Sequence, residues 1–183
     1  MSDHATIEVH VAELRQLFNA IDPSPFREKD LDPRAEEFIV EWAREVPADR
    51  ALALVVHVDR LPGLDDELAL REAVREFFSH SAQMSRRRLR RLFARGRRSL
   101  AIGIAFLAIS LLVGDILARV LGGWAVAELA RESLLIGGWV AMWRPMELFL
   151  YDWWPIRAEA RLADRLAAMP VRVVSEPRAA AAG

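Results

Sequence analysis

The chain has 183 residues, enough for one ordinary domain or for a smaller folded unit joined to a membrane segment. Its formal charge of −1 comes from 25 basic and 26 acidic residues, and its 53% apolar content lies only slightly above the usual soluble range. Cysteine is absent, which excludes disulfides, thiolate metal sites and a cysteine nucleophile.

The near-neutral charge is a cancellation. Met1 to Ser85 carries 18 acidic and 9 basic residues, whereas Arg86 to Arg98 holds 8 arginines and no acid. Lysine occurs once, at Lys29, against 24 arginines, which fits a GC-rich bacterial coding sequence. The first 30 residues lack a charged n-region followed by an apolar h-region, so no cleavable signal peptide is expected.

In chain order, Thr6 to Val11 alternates, with Ile7, Val9 and Val11 on one face and Glu8 and His10 on the other, which predicts a short strand. Ala12 to Phe18 is expected to form a short helix, and Asp22-Pro-Ser-Pro25 a turn. Asp32-Pro33 predicts a helix start, an N-cap followed by proline at N1. Behind it Ala35, Phe38, Ile39, Trp42 and Val46 fall at helical spacing, Glu36 and Glu37 suit the positive end, and Pro47 closes the helix. Ala51 to Asp59 is the strongest strand, so the region reads as a βαβ unit. A late strand, Val171 to Ser175, is expected to return to the same sheet.

From Asp65 no proline occurs until Pro145. Leu70, Val74, Phe77, Ser81 and Met84 mark one face of a single long helix that runs through the arginines into Leu100. Ser99 to Leu121 is then 23 residues with charges only at Asp115 and Arg119, long enough for a ~30 Å hydrocarbon core. A second crossing is expected after a turn at Gly122-Gly123, from Trp124 to Trp143, or else from Ser133 to Tyr151. Two crossings put both termini on one side. The arginines Arg86, Arg87, Arg88, Arg90, Arg91, Arg95, Arg97 and Arg98 make that side the cytoplasm, and Trp143, Tyr151, Trp153 and Trp154 suit its interface belt.

Charged residues at membrane depth are few and costly. With the turn at Gly122-Gly123, Asp115 lies level with Arg131 and Arg119 with Glu128; Glu132 completes the cluster. The structural reading is a set of salt bridges between the two helices that fixes their register. The sharper reading is a polar pathway for ions or protons in an oligomer. Arg144, Pro145 and Glu147 are expected to form a kink with a local ion pair, or a site for a lipid headgroup or partner. The arginine stripe abuts an apolar span, so it reads as anionic-lipid contact rather than nucleic-acid binding, with Leu89, Leu92 and Phe93 inserting alongside. Glu8, His10, His57 and Asp59 would share a sheet face as a metal set, although a merely polar open face is the commoner explanation.

Gly137 to Pro155 (GGWVAMWRPMELFLYDWWP) resembles a family of small, functionally uncharacterised bacterial two-span membrane proteins with a Trp-Arg-Pro…Tyr-Asp-Trp-Trp-Pro signature. Asp22 to Glu45 shares the resemblance. It implies a membrane protein with a cytosolic N-terminal domain and carries no activity.

The sequence therefore predicts an α+β membrane protein. Residues 1–85 form an acidic cytosolic α/β domain of two or three strands, and 86–98 an arginine-rich juxtamembrane helix. Residues 99–154 form a two-helix transmembrane hairpin with spans near 99–121 and 124–150, and 155–183 a cytosolic helix and strand. The expected location is the bacterial inner (plasma) membrane with both termini cytoplasmic. The expected partners are anionic lipids and either further copies of the chain or another membrane protein, with no nucleic acid and no cofactor. A non-enzymatic interaction, regulatory or assembly role leads. A small oligomeric channel or transporter is the alternative, and a membrane-associated enzyme using the sheet face comes third.

Overall fold

A computed structural model describes residues 4–18, 30–59, 63–120 and 125–175. The chain divides into two compact units, Met1–Met84 with Ala158–Gly183, and Ser85–Arg157.

The first unit is α+β. Its strands β1 (Ala5–Val11), β2 (Leu52–Val58) and β3 (Val171–Ser175) form a parallel sheet in the order β1-β2-β3. The register places His10 beside His57, and Glu8 and Arg172 on either side of Val55. The central strand shows why the sheet assembles. Leu52, Leu54, Val56 and Val58 are all buried, alternating with half-exposed residues, as period-2 geometry requires for a strand with one covered face. That face meets Ile39 and Ala43 of α1 (Pro33–Glu45), Leu70, Val74 and Phe78 of α2 (Leu64–Val120), and Leu166 of α4 (Trp153–Ala168) in one core.

Helix α1 starts as its sequence dictates. The Asp32 carboxylate accepts from Arg34 N–H at 2.9 Å with Pro33 behind it, satisfying a donor that has no partner within the helix. Its inward face largely follows the periodicity: Ile39 and Ala43 are buried, Ala35 and Trp42 pack partly buried against the core, Val46 does so from just beyond the helix end, and Phe38 alone is exposed. The expected helix over Ala12–Phe18 is one 3-10 turn, Leu14–Leu17, which buries both leucines. Phe18 then bridges to Leu31. The expected turn at Asp22–Pro25 lies outside the described residues.

Helix α2 spans 57 residues without interruption. In its first part the buried line is Leu70, Val74, Phe78 and Ala82, while Met84 is exposed. The bulky Phe78 sets the face, not the Ser81–Met84 line expected from spacing. Arg165 of α4 ties that helix to the α1–β2 connection by donating to the carbonyls of Pro47 at 2.9 Å and Arg50 at 3.0 Å.

The second unit contains the rest of α2 and α3 (Ala125–Leu150). These helices pack antiparallel along a seam of small residues. Gly96 meets Phe149, Gly103 meets Met142, Gly138 meets Leu107 and Gly114 meets Arg131, in reversed order along the two chains. Helix α3 continues through Pro145, the position where the sequence predicts a kink.

Candidate functional site

The most distinctive surface is the apolar part of α2. Ile102, Ile104, Phe106, Ile109, Leu111, Leu112 and Ile116 are all exposed, while Gly103, Ser110 and Gly114 turn inward to the seam. Only 17% of this apolar stretch is buried inside the structure. The core helix of a soluble protein would show the opposite. Among the described residues α2 is the one helix long and apolar enough to cross a membrane by length and composition.

The second expected span does not meet the same measure. In α3 the uncharged run between Glu132 and Arg144 is 11 residues, roughly 16 Å of helix against a ~30 Å core. Charged side chains at both ends shorten it. The proposed turn at Gly122-Gly123 lies outside the described residues.

The charge cluster is arranged within helices rather than between them. Asp115 and Arg119 pair at 2.7 Å along α2, and Glu128 and Arg131 at 3.3 Å along α3. The Arg131 stem packs over Gly114, next to Asp115, and among the described residues no salt bridge joins the two helices. Neighbours three and four apart on one helix face each other and are placed to pair. Glu132 is exposed.

At the other end of α3, Arg144 pairs with Glu147 at 3.0 Å and reaches Asp152 at 3.9 Å. Trp143 Nε1 donates to the same Glu147 carboxylate at 3.0 Å, and Trp153 Nε1 donates to the Phe149 carbonyl at 2.9 Å. Arg157 lies 5.5 Å from the Trp153 ring centre. Trp139, Trp143, Tyr151 and Trp154 are each more than half exposed. An exposed belt of this kind, with satisfied indole donors beside cations, matches the chemistry of a membrane–water interface.

All eight arginines from Arg86 to Arg98 are exposed. The apolar residues between them behave differently from the lipid-inserting reading. Leu89, Leu92 and Phe93 are half-buried, and Phe93 stacks on Phe149 with ring centres 6.1 Å apart. They extend the seam, leaving the arginines outermost.

On the sheet face opposite the core His10 and His57 stack with ring centres 4.3 Å apart. Glu8 sits beside Val55, and Asp59 follows the end of β2. Among the described residues no three His, Asp or Glu side chains gather as a metal site. Sequence reading missed a cleft of about 680 Å³ in the α/β unit, lined by Arg71, Arg75, Ser79, Asp164, the end of α4 and the start of β3. The i, i+4, i+8 spacing of Arg71, Arg75 and Ser79 was visible. Their neighbour Arg172, about a hundred residues away, was not.

Compared with protein-family models, with curated proteins and with solved structures, the chain matches none.

Proposed function

We propose that the chain is a bacterial inner-membrane protein that anchors a cytoplasmic α/β unit for interaction with further copies or a membrane partner, with no reaction of its own. One observation carries this reading: a helix stretch apolar on every exposed side that follows directly on eight exposed arginines. Leaving so many large apolar side chains in water is unfavourable by about 25 cal/mol per Å², and a hydrocarbon phase removes that cost. The arginines then hold their end on the cytoplasmic side, near anionic lipid.

Helix α3 enters the bilayer with α2 in this account, because the glycine seam holds the two backbones together where lipid gives no hydrophobic drive for association. Arg144 and Glu147 at one end, and Glu128, Arg131 and Glu132 at the other, lie toward the interfaces. The short uncharged run of α3 is thereby accommodated by snorkelling and local thinning. The channel alternative draws less support, since Asp115 and Arg131 already pair within their own helices and the seam is filled by packed side chains.

The reading is tested by washing isolated membranes with alkaline carbonate and crosslinking in cells. The chain should stay in the membrane pellet and crosslink to itself or to one constant partner. Release into the wash would overturn the anchoring, and a strictly monomeric, partner-free chain would overturn the interaction role.

A further inference from the structure

We propose that the cleft in the α/β unit is a binding site for a phosphate-bearing molecule. Its volume of about 680 Å³ falls in the range of small-molecule sites, roughly 300–1,000 Å³. One wall is a single helix face, where Arg71, Arg75 and Ser79 follow one another a turn apart, about 6 Å per step. Arg172, at the start of β3, contributes to the lining from the sheet. Ala167, Ala168 and Pro170 offer an apolar surface for the body of a ligand.

Charge sets the ligand class. The unit Met1–Met84 with Ala158–Gly183 contains 21 acidic and 13 basic residues. Yet three arginines and one acid, Asp164, line this cleft. Arg71 is paired with Glu67 at 2.5 Å. Arg75 and Arg172 form no ion pair among the described residues. Guanidinium is a planar fork of donors with no acceptor, matched to the oxygens of phosphate, and its charge does not titrate away. A hydroxyl at Ser79 adds a donor to the same row. Two cations without carboxylate partners among the described residues, facing a cleft in an acidic unit, are better explained by a bound anion than by solubility.

A soluble phosphate ester and a phospholipid headgroup share this chemistry. The test uses the full chain in dodecyl maltoside micelles, titrated with inorganic pyrophosphate and followed by amide hydrogen exchange at Ala168 to Arg172. That local readout separates the cleft from the arginine stripe, which also attracts phosphate. Saturable protection of this segment is expected. It should weaken roughly tenfold or more in Arg75→Gln and in Arg172→Gln, and persist in Arg90→Gln/Arg91→Gln. Thermal unfolding of each variant checks that the unit is intact, and Arg75→Lys should bind at intermediate strength. Absence of saturable protection, or unchanged binding in both cleft variants, overturns the site.

In a second arm the chain is placed in nanodiscs of phosphatidylcholine with or without phosphatidylglycerol. Protection by the anionic lipid alone assigns a headgroup, and protection by pyrophosphate alone assigns a soluble ester. The micelle arm does not depend on the membrane-anchoring role of α2, which the carbonate wash tests separately, so failure of the cleft and failure of the anchoring are distinguishable.

Discussion

Gly103 and Pro145 face each other across the α2–α3 seam, and each explains the other. Proline has no N–H, so the carbonyl four residues earlier, Ala141, loses its helical donor. A side chain added at Gly103 would begin 3.4 Å from that oxygen and 3.7 Å from the Pro145 ring. With only hydrogens there, α2 approaches α3 closely beside the freed carbonyl. Proline inside α3 is thus tolerated where the neighbouring helix has no side chain.

The two adjacent glycines of α3 should respond oppositely to substitution. A Cβ at Gly138 would lie 2.6 Å from Leu107 Cδ1 and 3.4 Å from its Cα, whereas Gly137 faces open space. Gly138→Val is expected to destabilise the helix pair by about 1–3 kcal/mol through overpacking. Gly137→Ala should be neutral or stabilise by up to about 1 kcal/mol through helix propensity. Unfolding in mixed micelles, followed by tryptophan fluorescence, measures both.

In the α/β unit, Arg165 is the predicted weak point. Its guanidinium satisfies two carbonyls of the α1–β2 connection. Arg165→Leu keeps the stem and removes both bonds, with an expected loss of about 1–3 kcal/mol. Thermal unfolding should show a lowered midpoint, and Arg161→Leu, on the exposed side of the same helix, should leave it nearly unchanged.

Glu36 gives the unit a pH signature. Burial first, and the charge of Asp30 second, hold its carboxyl above the ordinary carboxylate range. The folded chain therefore binds this proton more readily than the unfolded one. Its contribution is fullest below the ordinary value of 4.5 and is lost as the pH rises through the raised folded value. Glu36→Gln should consequently raise the urea midpoint at pH 7 and lose that advantage at pH 4.

The arginine stripe should set orientation. Each arginine near an anionic surface contributes on the order of 1 kcal/mol. Replacing Arg86, Arg87, Arg88 and Arg90 with glutamine should produce a mixed population in which a cysteine at Ser2 is partly accessible from outside the cell. Uniform retention of the original orientation would show that other residues determine it.

The sheet, both ends of α1 and the long helix were legible because each depends on local order: alternation in LALVVHV, Asp-Pro before an apolar helical repeat, and a proline-free run of residues. The late strand was also legible as a short β-branched run after a helix. Partner choice was not. Asp115 and Arg119 carried the helical spacing that pairs them, but sequence could not rank that pairing against one across the seam. Phe93 looked like a lipid anchor because its stacking on Phe149 joins residues 56 positions apart. Arg165 and the Arg75–Arg172 cleft likewise unite distant segments that carry no shared local pattern.

Accessibility of single cysteines in native membranes tests the central claim most directly, on a chain that contains none of its own. Ile104, Ile109 and Leu112 are each more than half exposed in the folded chain, so protein burial does not shield them. Cysteines at these positions should resist a water-soluble maleimide in intact membranes and react once the sample is dissolved in hot detergent, while Ser2→Cys reacts as soon as the cytoplasmic face is opened. Rapid labelling of Ile104→Cys, Ile109→Cys and Leu112→Cys in intact membranes would place that stretch of α2 in water and contradict the account.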